Sequence, residues 1–288
     1  MQYRNHKRNK LIFKLLLIVI IFGILYCFAT QSTKSSSAEN IVIEDMFPIT
    51  EADRYTGTEN AVPVFFDAAN EDYMIDKGGR YLLSGNLQGT LYIDVEDQHV
   101  HLLLDNVSIV GSKGPAISVL SAGKVFITNL ENTVNSLGDS AAYETGRTES
   151  ACIYSTTDLT LNGMGELLIT GLHEDGIYCR DTLKILCSNL KVQSKRDCVR
   201  GNDGVLLQGI SIALEAERNG IRTTNSGKGS RGDVEIRGAS LTIIAGSYCI
   251  VSKSDCYVHQ SDCFFNGILD TYAVAGDILV QGESWSHA

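Results

Sequence analysis

Residues 175–200 read DGIYCRDTLKILCSNLKVQSKRDCVR, and the stretch closes on the pattern with which it opens. A small residue followed by a β-branched one appears first as Gly176-Ile177 and again as Cys198-Val199. The residues between are rich in Leu, Ile and Val and are punctuated by Asp, Asn and Ser, as short strands are. A short repeat made of strands is the feature that decides the fold.

The same pair recurs along most of the chain at similar intervals. Ile117 opens an earlier turn, before a longer insertion across Asn135–Glu149. Units of this size predict an all-β parallel β-helix, or β-solenoid, in which each coil adds one strand to each of several sheets. One inward column is expected to hold Ile117, Ile153, Ile177, Val199, Ile221 and Ile250. The recurring pairs are Cys152-Ile153, Gly176-Ile177, Cys198-Val199, Gly220-Ile221, Cys249-Ile250 and Gly267-Ile268.

An ordered set of motifs makes the prediction more specific. The chain resembles the bacterial carbohydrate-binding β-helix family first described in cellulose-degrading clostridia, over roughly residues 61–283. That resemblance implies a right-handed parallel β-helix similar to polysaccharide lyases, bound calcium and binding to plant polysaccharides. The family usually has Lys after the Asp-Gly-Ile motif, where this chain has Tyr178 and Arg180. The matching motifs are Tyr81-Leu-Leu-Ser-Gly85, Val100–Ile109, Gly114-Pro-Ala-Ile117, Asp158-Leu-Thr-Leu-Asn-Gly163, Gly165-Glu-Leu-Leu-Ile169 and Asp175-Gly-Ile177.

The N-terminus differs in composition from the rest. Residues 1–14 carry five bases and no acid, and Leu15–Ala29 carries no charge. Leu11–Ala29 approaches the ~20 residues that span a bilayer, and the basic flank is expected to stay in the cytoplasm. We expect a single-pass cell-membrane protein with its C-terminal domain outside, and a cleaved signal peptide with secretion is the alternative. The predicted parts are an anchor at 1–30, a polar linker at 31–60 and the β-helix at 61–288.

Charge and side-chain chemistry narrow the partners. The chain has 34 acids against 24 bases, a net charge of −10, which argues against nucleic acid. Three cysteines at one coil position are predicted to be buried: Cys152, Cys198 and Cys249. His99 and His101 lie two apart on one strand face, which favours a solvated face over a metal-binding pair.

Acidic residues stack in columns. Asp175 and Asp197 stand at the same position of successive coils, and so do Asp181 and Asp203. Carboxylates on neighbouring coils repel one another unless a cation lies between them, and Asn219 continues the first column. Calcium, which takes six to eight oxygen ligands, is the predicted cofactor, with turn capping by Asp as the alternative. Turn capping is favoured for three later members of the column: Asp233, Asp255 and Asp277.

A second set follows each inward Ile or Val. Tyr154, Tyr178, Arg200 and Arg222 are expected to face outward on one sheet, and Arg180 is assigned to the same surface. Aromatic rings stack on sugars and guanidinium groups bind carboxylates, so the predicted partner is a polysaccharide, with an acidic one among the candidates. The alternative is side-chain packing between neighbouring strands without a ligand.

Three functions remain open on the sequence. The favoured one is a non-catalytic, membrane-anchored polysaccharide-binding module with a calcium-stabilised β-helix. The second is a structural or adhesin-like surface solenoid. The third is a calcium-dependent polysaccharide lyase, in which Arg180, Arg200 or Lys195 would supply the base that abstracts the proton.

Overall fold

A computed structural model describes residues 46–68, 71–227, 231–281 and 284–287. The fold is an all-β parallel solenoid of about ten turns, as the repeat predicts. One α-helical turn, α1 (Glu51–Arg54), precedes the strands. The strands are β1 (Val62–Asp67), β2 (Tyr73–Ile75), β3 (Gly79–Gln88), β4 (Leu91–Asp94), β5 (His99–Val110), β6 (Ile117–Ser121), β7 (Lys124–Asn129), β8 (Val134–Gly138), β9 (Ala151–Ser155), β10 (Leu159–Gly171), β11 (Asp175–Cys179), β12 (Thr182–Ser194), β13 (Asp197–Gly201), β14 (Gly204–Leu207), β15 (Ser211–Ala216), β16 (Asn219–Thr223), β17 (Asp233–Arg237), β18 (Ser240–Ala245), β19 (Tyr248–Ser252), β20 (Cys256–His259), β21 (Asp262–Gly267), β22 (Asp270–Val274), β23 (Ile278–Gln281) and β24 (Ser284–His287).

The strands form two hydrogen-bonded sheets. The nine-stranded sheet has the order β2-β4-β6-β9-β11-β13-β16-β19-β22. The other sheet has 15 strands, and its main path, here called the ten-strand stack, runs β1-β3-β5-β7-β10-β12-β14-β17-β20-β23. Long strands such as β10 continue into a further stack with β8, β15, β18, β21 and β24. β10 bends at Gly163, whose φ of 106° and close approach to the Asn129 carbonyl favour glycine.

The predicted inward column is confirmed. Each member pairs with the next in strict register, and all are fully buried: Ile117, Ile153, Ile177, Val199, Ile221 and Ile250. The Gly267-Ile268 pair does not continue the column: Ile268 is 78% exposed, and Tyr272 pairs with Ile250 instead. The spacing explains why. Tyr272 follows Ile250 by the same interval that separates Ile177 from Val199, whereas Ile268 comes before that interval is complete.

The predicted insertion is shorter than the sequence suggested. Asn135 to Gly138 belong to β8, which pairs with both β5 and β10, so the insertion proper is residues 139–150. Asp139 anchors it: its carboxylate accepts hydrogen bonds from the Leu172 backbone N–H and from the Tyr143 hydroxyl. The three alternate-coil cysteines are fully buried core residues, as expected.

Residues 46–55, which fall within the predicted linker, lie on the outer face of the ten-strand stack; we call them the strap. A capping box between Thr50 and Asp53 begins α1. The Phe47 N–H donates to Glu235 on β17, and the Tyr55 ring lies 4.3 Å from the Arg80 guanidinium on β3. The strap therefore crosses the stack from a late coil to an early one.

The predicted membrane anchor at Leu11–Ala29 lies outside the described residues. Within the ranges that the structure describes, none of the helices is long and apolar enough to cross a bilayer.

Candidate functional site

The outward strip predicted from the sequence is a real row on the nine-stranded sheet. Tyr154, Tyr178, Arg200 and Arg222 are register partners on four successive strands. The Arg200 guanidinium lies 4.0 Å from the centre of the Tyr178 ring, and the Tyr154 and Tyr178 rings meet edge to face at 5.6 Å. The strip thus combines an aromatic surface with guanidinium groups, as a sugar-binding surface does. Its side chains also pack on those of the neighbouring strands, which is the arrangement that the alternative prediction, packing without a ligand, describes.

The insertion covers one end of this row. The next positions towards the N-terminus are Ser118 and Tyr92. Glu149 accepts a hydrogen bond from the Ser118 hydroxyl, and Arg147 donates to the Tyr92 hydroxyl. Tyr154 is accordingly only 6% exposed. The accessible part of the strip therefore starts at Tyr178.

Arg180 does not belong to the row. It follows the end of β11, its side chain is exposed, and its backbone N–H donates to the Ser155 carbonyl. The alternation of strand side chains ends with the strand, which is why the two-residue step from Tyr178 misplaces it.

Beside the row, each buried aspartate is bound by two arginines of the next coil. Asp175 lies 3.6 Å from Arg196 and 3.3 Å from Arg200. Asp197 accepts a hydrogen bond of 2.8 Å from Arg218 Nε, and its other oxygen lies 3.5 Å from Arg222. The two arginines stand at the same distances along the chain from their aspartate in both cases. Sequence reasoning missed this spacing, although it was visible.

The two aspartates titrate in opposite directions. Burial, followed by the charge of Asp197, raises the pKa of Asp175 to about 6, because its arginine contacts are long. Burial also opposes ionisation of Asp197, but hydrogen bonds and charge from Arg218, with Asn219 and Arg222, outweigh it and hold the pKa of Asp197 below its ordinary value. The pair therefore carries less than two full negative charges near pH 6.

The first predicted calcium set does not fit the ion. Arginines and backbone N–H groups already occupy the carboxylate oxygens of Asp175 and Asp197. Asn219 donates its amide N–H to Asp197 at 2.7 Å, and its amide oxygen accepts the Tyr248 N–H. A cation there would lie among four guanidinium groups. Across the described ranges, no three His, Cys, Asp or Glu side chains form a metal-binding group.

The second predicted pair has a different environment. Asp181 and Asp203 line a cavity of about 360 Å³ together with Asp158. Burial and the charges of Asp158 and Asp203 raise the pKa of Asp181. Asp203 accepts a hydrogen bond from Asn225 and lies 3.7 Å from Arg231. Arg231 and Lys184, which line the same cavity, offset part of the repulsion in this acidic row, and a cation would reduce the part that raises the pKa of Asp181.

The later aspartates cap backbone groups, but across coils. Asp233 accepts the Asp255 N–H at 2.8 Å, and Asp255 accepts the Asp277 N–H at 2.7 Å. The capping role favoured for this column is therefore present at Asp233 and Asp255, with the N–H supplied by the following coil, and it stays a prediction for Asp277.

The two histidines form a pocket that sequence reasoning missed. The predicted solvated face is wrong for His101, which is only 8% exposed and hydrogen-bonded to Thr128 at 2.6 Å. A cavity of about 440 Å³ is lined there by Tyr55, Arg80, His99, His101 and Phe126. The repeat pattern could not reveal this pocket because one of its walls, Tyr55, belongs to the strap and lies outside the repeat.

The chain is similar to known proteins in sequence and in fold. The profile of a family described as carbohydrate-binding domain-containing protein matches residues 69–266. A carbohydrate-binding domain-containing protein of Acetivibrio thermocellus is 32% identical over 157 residues, which are 48% of this chain and 55% of that protein; the chain thus spans about half of the relative's length. The solved structure of a polysaccharide lyase-like protein from C. thermocellum, a gadolinium derivative, superposes with a TM-score of 0.67 at 26% identity, covering 78% of this chain and 96% of that one.

The family match covers more than half of the chain and runs from the first coils to β21. The repeat, the stacked coils and the family profile thus coincide along the sequence. The chain belongs to the family of carbohydrate-binding domain-containing proteins.

Proposed function

We propose that the chain binds a polysaccharide, without cleaving it, along Tyr178, Arg200 and Arg222 of the nine-stranded sheet. The observation that carries this proposal is their alignment in one outward row on three successive coils. Coils repeat at about 4.8 Å, which is close to the length of one sugar unit in an extended glycan. Successive sugars can therefore meet equivalent positions on successive coils.

The charges beside the row favour an acidic polysaccharide. Four arginines and three acids form the local network, so the patch is positive on a protein whose net charge is −10. Arg200 and Arg222 are 17% and 26% exposed and can turn remaining N–H donors towards a uronate carboxylate. The four arginines are Arg196, Arg200, Arg218 and Arg222, and the acids are Glu174, Asp175 and Asp197.

A retention assay tests the strip. Tyr178→Ala and Arg200→Ala are expected to weaken binding of the full chain to polygalacturonate at least tenfold. Tyr178→Ala should change Tm little because the side chain is outward, whereas Arg200→Ala should also lower Tm because the buried Asp175 loses its contact at 3.3 Å. Arg180→Ala is the matched control and should bind as the wild type does. Equal losses in all three variants, or none in any, would refute the assignment. Absorbance of an unsaturated product in the same tubes would instead support the lyase alternative, which the similar lyase-like structure keeps open.

Calcium remains a prediction, and we assign it to the pair of Asp181 and Asp203. Carboxylates together with backbone carbonyls are the oxygen donors that calcium prefers. A ligand that binds only the folded state stabilises it by about 2.7 kcal/mol at a hundredfold excess over its dissociation constant. Chelation should lower Tm in the wild type and in Asp197→Asn, but not in Asp203→Asn. Indifference of the wild-type Tm to both chelator and calcium would contradict the assignment.

We further propose the location and the handedness expected from the sequence. The basic flank followed by an uncharged run supports a single-pass membrane protein with the solenoid outside. Fractionation of the full-length protein is expected to recover it with membranes, and recovery in the medium would favour the secreted alternative. Right-handed winding of the coils follows from the family resemblance and from the strong preference of parallel crossovers.

A further inference from the structure

The strap inserts a carboxylate into a site built by the solenoid. Asp53 is fully buried. One of its oxygens accepts hydrogen bonds from Lys124 Nζ at 2.6 Å and Thr160 Oγ at 2.8 Å, and the other accepts one from Lys184 Nζ at 3.0 Å. These three donors lie on β7, β10 and β12, so three successive strands converge on one carboxylate.

Around Asp53, further charged residues of the strap face charged residues of the ten-strand stack. The strap contributes two acids, Glu51 and Asp53, and one base, Arg54. The face beneath it contributes not only Lys124 and Lys184 but also Arg80 towards one end and Arg237 towards the other, and Arg237 donates to the Phe47 carbonyl at 3.0 Å. A segment with one net negative charge therefore lies along a face on which these four bases outnumber the acid Glu235.

Apolar side chains on the same face are buried although they point away from the core. Leu206 stands between Lys184 and Glu235 in the register, and both of those residues bind the strap. Phe126 lies in the same row and lines the aromatic pocket with Tyr55 and His101. Without the strap, the ten-strand stack would present aromatic and basic groups together, as the nine-stranded sheet does.

We propose that the outer face of the ten-strand stack is a second binding site for an acidic glycan, closed by the strap. Asp53 takes the place of a uronate carboxylate between Lys124, Lys184 and Thr160, and Phe126 and His101, uncovered when Tyr55 leaves with the strap, receive a neighbouring sugar ring. The site opens when the strap leaves, so its apparent affinity is reduced by the fraction of molecules in which the strap is undocked. The choice of ligand rests on the proposed function, but the site is separate from the Tyr178–Arg222 strip.

The test uses the full chain carrying Tyr178→Ala and Arg200→Ala, so that the strip does not contribute, with polygalacturonate as the probe. Adding Asp53→Asn is expected to tighten binding at least tenfold, because the lysines lose their internal counter-charge. Adding Lys124→Gln and Lys184→Gln should abolish that gain, whereas Lys191→Gln, on an exposed lysine of β12, should leave it intact. In the protein that keeps Asp53, the effect of Tyr178→Ala and Arg200→Ala on binding tests the strip alone. The further effect of Asp53→Asn tests the second site, so failure of one site can be told from failure of the other.

A folded Asp53→Asn protein that gains no binding would overturn the proposal, and so would a gain that survives loss of both lysines. If Asp53→Asn does not fold, hydrogen exchange decides the matter in the strip-deficient protein that retains Asp53. Saturating polygalacturonate should then raise deuterium uptake of residues 46–55 several-fold. Unchanged uptake would show that the strap is a fixed structural element.

Discussion

The nine-stranded sheet and the ten-strand stack both present basic and aromatic side chains outward, but they satisfy these groups differently. On the nine-stranded sheet, Asp175 and Asp197 come from the repeat itself, and Tyr178 stays partly exposed beside them. On the ten-strand stack, Glu235 of the repeat pairs with Arg237, but the counter-charge of Lys124 and Lys184 is Asp53, which comes from a segment before the repeat. Two faces with similar chemistry therefore differ in access because of one short segment.

This difference teaches that a solenoid repeat specifies which side chains face outward, but not which of them meet solvent. Register alone makes Arg200 and Lys184 equivalent outward positions. Arg200 packs on its own neighbours, whereas Lys184 is covered by Pro48 and Asp53. Substitutions that release the strap should therefore leave the side-chain packing on the nine-stranded sheet unchanged, and substitutions on that sheet should leave the strap in place.

The largest expected effect separates the core from the strap-covered face. Val199→Asp should unfold the domain, because a charge without a partner would enter the fully buried column at a cost above about 4 kcal/mol. Leu206→Asp places the same charge outward under the strap, and we expect the strap to leave while the coils persist. Circular dichroism and limited proteolysis before residue 56 measure the two outcomes. A folded Val199→Asp protein would contradict the assignment of Val199 to the inward column.

The next effect concerns the strap itself. Asp53→Asn removes the acceptor of a buried ion pair and should cost about 3 kcal/mol at neutral pH. Glu51→Gln, on the exposed side of the same helical turn, is the control and should change little. Lysine hydrogen bonds hold the pKa of Asp53 far below its ordinary value despite burial. The stabilisation is therefore present above pH 4 and is lost as the pH falls towards the lowered pKa, which an acid titration of strap protection would follow.

A smaller effect distinguishes the two aspartates of the open sheet. Asp197→Asn leaves Arg218 and Arg222 without their carboxylate and should destabilise the protein by about 2 kcal/mol, less than a fully buried pair because both arginines reach solvent. Urea unfolding at pH 7 measures it. Stability equal to that of the wild type would mean that the arginine pairs contribute nothing to the fold.

The smallest effect has the opposite sign. Burial raises the pKa of Asp175 to about 6, so at pH 7 the group is mostly ionised but its ionisation costs more free energy in the folded than in the unfolded state. The folded protein then binds more protons than the unfolded one between about pH 4 and 6, and this contribution falls as pH rises through that window. Asp175→Asn keeps an oxygen for the Asp197 N–H and should stabilise by about 1 kcal/mol at pH 7. The gain should vanish near pH 4, and a loss at pH 7 would contradict the assigned shift.

Much of the fold could be predicted because periodicity and packing agree. A constant coil length places Ile177, Val199 and Ile221 side by side, and the apolar core then requires them to face inward. Prediction from the sequence failed where the number of residues in a coil departed from the usual repeat length. Ile268 followed the local pattern but came too early in its coil, and Asn135 looked like insertion although it continues a strand.

The candidate site was predicted only in part. The row from Tyr154 to Arg222 follows from one position per coil, so spacing was enough to find it. The arginine pairs around Asp175 and Asp197 also repeat with a fixed spacing, but each ion pair forms only because the arginine side chain reaches back to the preceding coil. The direction of these side chains, and the covering of Tyr154 by the insertion, are seen only in the tertiary structure.

The sequence by itself determined the solenoid, its inward column and the outward row, because each depends on the position of a residue within one coil. The tertiary structure alone decided that Asp53 meets Lys124 and Lys184, which are 71 and 131 residues away, and that His101 is buried beneath Tyr55. The physical reason is that the strap lies outside the repeat. Its contacts depend on charge and shape complementarity across the coils, which no period along the chain records.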